Sequence, residues 1–364
     1  MPAVIESDVR SALARVNDPE IRKPITELGM VKSVAVGDDG SVDVGIYLTT
    51  AGCPMKTEIS DRVRTAVADV AGVGEIRVEL DVMNDEQRTE LRKSLRGDSA
   101  EPVIPFAQPG SLTRVYAVAS GKGGVGKSSV TVNLAAAMAA KGLSVGVLDA
   151  DIYGHSVPRM LGTDARPTQV ERMIMPPVAH EVKMISIAQF TQGNTPVVWR
   201  GPMLHRALQQ FLADVFWGDL DILLLDLPPG TGDVAISVAQ LIPGAEILVV
   251  TTPQQAAAEV AERAGAIALQ TRQRVVGVVE NMSWLELPDG TRMDVFGTGG
   301  GQAVADRLTT AVGARLGGDE GVPIVLGAPE TPAARALTEV AEKLSVRSRG
   351  LAGMSLGIDT TRHL

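Results

Sequence analysis

The octapeptide Gly121-Lys122-Gly123-Gly124-Val125-Gly126-Lys127-Ser128 constrains this chain more than any other stretch. It follows directly on the apolar run Val115–Ala119 and leads into Val130, Leu134 and Met138, whose spacing predicts a helix. Strand, glycine loop and helix in that order make a phosphate cradle. Glycines let the backbone curl until successive N–H groups point at phosphate oxygens. A helix beginning near Lys127 adds its positive dipole end at the same place. Lys127 supplies a mobile charge for the outer phosphates, and Ser128 a hydroxyl for Mg²⁺. The competing reading is a glycine-rich turn with no ligand. The flanking strand and helix favour a nucleoside triphosphate.

Three further carboxylates bear on that reading. Asp226 ends the apolar run Ile222–Leu225, where a parallel sheet opens its ligand crevice at the strands' carboxyl ends. There it can hold the water shell of Mg²⁺. Asp149 and Asp151 follow the run Val145–Leu148, and a carboxylate so placed can orient or activate an attacking water. On its own, an Asp after a strand is more simply a cap or turn residue; beside a phosphate loop, Asp226 and Asp151 are read as functional, Asp149 less so. The loop Leu227-Pro228-Pro229-Gly230-Thr231-Gly232-Asp233 is of a kind that senses a γ-phosphate.

With Ile247–Val250 and Val275–Val279, these near-continuous apolar runs require strands covered on both faces. Residues 113–345 are therefore expected to form an α/β nucleotide-binding domain, a mostly parallel sheet with helices on both sides. Residues 1–83 are expected to form a smaller α/β domain. Val9, Leu13 and Val16 mark an opening helix that ends near Asn17-Asp18-Pro19. Val42, Val44, Ile46 and Leu48, and again Ile76, Val78, Leu80 and Val82, alternate as half-buried strands. Between them Ile59, Val63, Val67 and Val70 form a helical stripe for the apolar face. Residues 84–112, densely charged and then proline-rich, read as a linker, and 346–364, rich in Gly and Arg, as a frayed tail.

Composition narrows the function. A formal charge of −9 argues against gripping nucleic acid. No apolar run approaches the ~20 residues of a membrane span, and the first residues lack the order of a secretion signal. A cytoplasmic protein is expected. The single cysteine, Cys53, excludes an intramolecular disulfide and a four-thiolate site within one chain. The four histidines show no metal-ligand spacing and read as structural or surface residues.

The extra lysine in Lys122-Gly123-Gly124-Val125-Gly126-Lys127-Ser128 resembles the deviant phosphate loop of the MinD/ParA/NifH class of ATPases. A solvated loop lysine is the plainer alternative for Lys122. Asp149-Ala150-Asp151-Ile152-Tyr153-Gly154-His155-Ser156, Trp199-Arg200-Gly201-Pro202-Met203, Asp226–Asp233, Val279-Glu280-Asn281-Met282-Ser283 and Phe296-Gly297-Thr298-Gly299-Gly300-Gly301 are similar to the Mrp/ApbC branch, iron–sulfur cluster carrier ATPases. Residues 1–83, with Asp18-Pro19-Glu20 and Thr49-Thr50-Ala51-Gly52-Cys53-Pro54, resemble the SufT-like domain often fused ahead of it. The resemblance implies a homodimer closing over ATP and Mg, with Lys122 reaching the opposite protomer's nucleotide. It implies ATP binding by Gly121–Ser128, catalytic roles for Lys122, Lys127 and Asp151, metal support by Ser128 and Asp226, and adenine contact by Asn281. The partners it implies are apo iron–sulfur clients and assembly factors.

One departure stands out. Many members carry a Cys-x-x-Cys between the Asn-Met-Ser and Phe-Gly motifs, whereas Trp284–Asp294 here holds no cysteine. Cluster iron is normally held by about four thiolates, and a dimer of this chain offers one Cys53 from each copy. Cys53 is either a small buried apolar residue or a functional thiol at a helix start that hands over iron or a cluster with a partner's ligands. Three functions therefore compete: an ATP-gated iron–sulfur cluster carrier, an ATP-dependent client-binding scaffold without its own cluster, and a MinD/ParA-like partitioning switch. The glycine-interrupted tail and the negative charge argue against the last.

Overall fold

The computed structural model describes residues 4–49, 55–96, 103–108, 110–151, 154–170, 173–190, 201–230, 232–286, 289, 291–308 and 322–346. They divide into two compact units. The first holds the chain up to Pro102 together with Ala165–Pro177 and Asp214–Gly218, and the second holds the rest.

In the first unit the elements run α1 (Glu6–Leu13), β1 (Val31–Val36), β2 (Val42–Leu48), α2 (Lys56–Ala68), β3 (Ile76–Val82) and α3 (Asp85–Arg96). β2 is the middle strand, antiparallel to β1 and parallel to β3. Its alternation works as expected: Val42, Val44, Ile46 and Leu48 are buried with Val9 and Leu13 of α1 and Ile59, Val63 and Val67 of α2. Four local features differ from the sequence reading. α1 ends at Leu13, and the Asp18 carboxylate then builds a turn by accepting the N–H groups of Glu20 (2.9 Å) and Ile21 (2.7 Å). β1 escapes a period-two search because its register shifts between Val31 and Ser33. On β3, Leu80 and Val82 remain 39% and 38% exposed, so the second alternation is half-buried only at Ile76 and Val78. Asp85–Arg96, read as linker on its charge, is a helix whose Leu91 and Leu95 join the core.

In chain order the second unit, interrupted by β6 and β7 of the first, continues as β4 (Arg114–Ser120), α4 (Lys127–Ala140), β5 (Val145–Asp149), α5 (Val157–Met160), β6 (Thr168–Val170), β7 (Met173–Met175), β8 (Val178–Ala179) and β9 (Val182–Ser186). Then come α6 (Gly201–Asp214), β10 (Ile222–Asp226), α7 (Asp233–Leu241), β11 (Glu246–Thr251), α8 (Gln255–Gln270) and β12 (Val275–Glu280). The chain closes with β13 (Leu285–Glu286), β14 (Arg292–Met293), α9 (Gly300–Leu308), α10 (Ile324–Gly327) and α11 (Pro332–Ser345).

The main sheet has the order β12-β11-β4-β10-β5-β9-β8, parallel throughout except at the edge strand β8. All five predicted apolar runs are strands in it, so the α/β fold follows the sequence. β4 lies centrally, which puts its carboxyl end and the glycine loop mid-sheet. α4 is apolar on nearly every side, because the sheet covers one flank and α11 the other; Leu134, Met138, Leu337 and Ala341 share one core. The end of α11 is tied to β4, since the Leu344 carbonyl accepts both Arg114 Nη1 (2.7 Å) and Tyr116 Oη (3.0 Å). Among the described residues, no helix is long and apolar enough to cross a membrane.

Candidate functional site: the phosphate loop and its carboxylates

The loop's shape rests on glycines at two close approaches. Gly126 precedes α4 with φ 80°, in the left-handed region, and a Cβ there would meet Asn281 Nδ2 at 2.2 Å. A Cβ on Gly121 would lie 2.3 Å from backbone atoms of Val260 and Ala261 in α8. The loop is also stitched from outside. Asn281 Nδ2 donates to the Val125 carbonyl (2.8 Å), and its Oδ1 accepts the Met282 N–H (2.9 Å). The expected adenine contact thus sits beside the loop with its amide already holding it.

Parallel register brings the carboxylates to the loop: Asp226 pairs with Asp149 on one side and with Val118 of β4 on the other. Lys127 Nζ donates to Asp226 Oδ1 (2.7 Å) with side-chain exposures of 6% and 0%. Ser128 Oγ donates to Asp226 Oδ2 (2.6 Å), and Thr131 Oγ1 donates to Asp226 Oδ1 (2.9 Å). A charge buried this deeply is tolerated only when paired and hydrogen-bonded. Hard oxygen donors from Ser128 and Asp226, next to a lysine and a helix N-terminus, fit Mg²⁺ carried by a phosphate chain. Thr131 was not foreseen from the sequence, although its place one turn beyond Lys127 on α4 was a usable signal.

Asp149 holds structure. Its Oδ1 accepts the Asp151 N–H (3.2 Å), and its Oδ2 accepts the Val157 N–H (3.4 Å) and Ser186 Oγ (3.0 Å). Burial and then the negative charge of Asp226 push its carboxyl up to about 7, against the hydrogen bond from Ser186 and the charge of Lys127. Asp151, also buried, has Oδ1 on the Gly154 N–H (2.9 Å), and a Cβ on Gly154 would crowd its Oδ2 at 2.8 Å. Lys122 Nζ donates to Gln254 Oε1 (2.8 Å) just ahead of α8. Gly230 N–H donates to the Ser120 carbonyl (2.8 Å), which fastens the Leu227–Gly230 loop to the end of β4. Gln254 and Ser186 carried no sequence signal.

The remaining motifs are structural or lie elsewhere. Gly297 and Gly299 have φ 85° and 83°, and Gly301 N–H donates to Glu280 Oε2 (2.6 Å), so the glycine run seats α9 on the end of β12. Where many relatives of the resembled branch carry Cys-x-x-Cys, Leu285–Glu286 pairs with Arg292–Met293 as a short hairpin, with the Arg292 guanidinium 4.5 Å over Trp284. Cys53, Thr231, Trp199 and Arg200 lie outside the described residues. Among those described, no group of three or more His, Cys, Asp or Glu side chains is arranged to hold a metal ion.

Residues 111–345 match the family model of the NUBPL iron-transfer P-loop NTPases, and residues 6–79 match that of an iron–sulfur cluster assembly protein. The chain is 72% identical over 373 aligned positions to an iron–sulfur cluster carrier protein of Mycobacterium tuberculosis, covering 99% of this chain and 98% of that one. A protein of the same description from Synechocystis is 38% identical, covering 93% and 96%. Among solved structures, a nucleotide-binding protein of Archaeoglobus fulgidus in complex with ADP is 31% identical with a TM-score of 0.50, covering 66% of this chain and 94% of its own. On a glycine loop closed over a buried lysine–aspartate pair, and on likeness along almost its whole length, the chain belongs to the iron-transfer P-loop NTPases, in their iron–sulfur cluster carrier family.

Proposed function

We propose that this protein binds and slowly hydrolyses ATP as a homodimer and uses that cycle to carry iron–sulfur clusters, its cargo, to apoprotein clients in the cytoplasm. The observation that carries the reading is the buried triangle of Lys127, Ser128 and Asp226 under the glycine loop. Backbone N–H groups of Gly121–Ser128 bind the phosphates, and Lys127 leaves Asp226 for the β- and γ-oxygens. Ser128 and Asp226 would hold Mg²⁺, which would neutralise phosphate charge. Asp151 orients the attacking water, with its backbone fixed by Asp149. Asn281 contacts the adenine, and Lys122 exchanges Gln254 for the nucleotide of the opposite protomer. ATP favours the closed dimer and hydrolysis releases it, which ties nucleotide state to cargo. The working division is a front domain that runs on from residues 1–83 through α3 to Arg96 and takes in Ala165–Pro177 and Asp214–Gly218, a connecting segment over 97–112, the ATPase over the rest of 113–345 and a tail over 346–364.

The second reading, a client-binding scaffold without its own cluster, is favoured by one fact: Cys53 is the sole thiol. Calorimetry and anaerobic reconstitution separate the possibilities. Wild type is expected to bind ATP with Mg²⁺ and to take up iron and sulfide; Lys127→Ala should lose the first and Cys53→Ser the second. Nucleotide affinity retained in Lys127→Ala would overturn the loop assignment. Wild type free of iron after reconstitution would leave the scaffold.

A further inference from the structure

The core of the first unit is not closed by the front of the chain alone. Val170, Met173 and Met175 from the β6–β7 hairpin, and Phe216, are buried in the same apolar cluster as Val9, Leu13, Val44, Ile59 and Val63. The two segments that bring them are joined to each other: Ile174 bridges Val215, and the Phe216 N–H donates to the Ile174 carbonyl (2.8 Å). By contact both belong to the first unit, yet in sequence each interrupts the nucleotide-binding unit.

Where they interrupt it matters. Ala165–Pro177 comes after α5, whose opening N–H at Val157 is held by the Asp149 carboxylate. Asp214–Gly218 comes before β10, the strand that ends on Asp226. One insertion thus hangs from the Asp149–Asp151 loop and the other from the strand of the buried ion pair. Close-packed cores transmit displacement rather than absorb it.

We propose that these two segments link the phosphate loop to the front unit, so that nucleotide binding changes the front unit's conformational stability. The proposal rests on the nucleotide reading above. Phosphates and metal compete for Lys127, Ser128 and Asp226, which differ in partners with and without ligand, and such a difference is what a ligand needs to bias an equilibrium. Val170, Met173, Met175 and Phe216 carry that bias into the core around β2.

Hydrogen exchange on the full chain, with Mg²⁺ and a non-hydrolysable ATP analogue, tests the link. Amides of Gly121–Ser128 should slow on binding, and so should those of β1, β2 and the β6–β7 hairpin, by about fivefold. Inserting Gly-Ser-Gly-Ser between Asp164 and Ala165 and between Gly218 and Asp219 keeps every core side chain but slackens the junction that leads back to the Asp149–Asp151 loop and the junction that leads into β10. The front response should then vanish while the loop response stays. A wild type whose loop slows while the front unit is unmoved overturns the proposal and leaves the nucleotide reading intact; so does a front response that survives both insertions. A loop that does not slow takes down both. The wild-type arm decides the matter even where an insertion fails to fold.

Discussion

Removing the ammonium from the buried pair, as Lys127→Met, leaves the Asp226 carboxylate fully buried with two hydroxyl donors, Ser128 Oγ at 2.6 Å and Thr131 Oγ1 at 2.9 Å. Breaking a buried pair costs roughly 3–5 kcal/mol, and those two donors put this variant near about 3. Asp226→Leu instead strands the ammonium, whose other partner is Ser128 Oγ at 3.3 Å, and belongs near about 5. The double variant removes both charges. Thr131 Oγ1 then still donates to the Lys127 carbonyl (3.0 Å), so most of the stability should return. At roughly 2–4 °C per kcal/mol for a unit of this size, the single variants should melt about 6–20 °C lower and the double variant within a few degrees of wild type. Scanning calorimetry of the four proteins closes the cycle. Single variants within about 1 °C of wild type, or additive losses, would show that the two charges do not meet in solution.

Gly126→Ala forces a Cβ into the left-handed region and against the Asn281 amide, which must release Val125; a loss of about 2 kcal/mol is expected by urea unfolding. Gly123→Ala, whose Cβ would meet only Pro229 Cγ at 3.9 Å, should leave stability unchanged, and equal losses at the two sites would refute the loop geometry. Asp149 predicts a pH signature. Its folded carboxyl titrates near about 7 against an ordinary 3.8, so the folded state keeps a proton that the unfolded chain has released. That contribution is full below the unfolded value and is lost as pH rises through about 7. Asp149→Asn, which cannot ionise, should flatten the decline in urea midpoint between about pH 5 and about pH 8; an unchanged slope would contradict the assignment.

The central sheet and the phosphate site were legible because their signals are local. Each parallel strand is a continuous apolar run, and the glycine loop needs its residue types within eight positions. Register then brought Asp149 beside Asp226 without further information. What escaped was non-local or too short to show a period. β6 and β7 are three-residue strands whose apolar side chains read as background until Phe216 and the front strands close over them. α3 was masked by charge, since two leucines suffice to seat it. The bonds of Lys122 to Gln254 and of Asp149 to Ser186 join residues far apart in the chain, and nothing in either neighbourhood announces the partner.

The tie between Leu344 and β4 orders the molecule's birth. The ribosome delivers the loop-bearing strand first, and the helix that shields α4 and anchors that strand follows about 200 residues later. Until it does, α4 presents a bare alanine-rich flank with Leu134 and Met138 to solvent, and the nascent molecule has a nucleotide cradle without its back wall. A ribosome-stalled chain ending before Pro332 is therefore expected to leave that apolar flank uncovered.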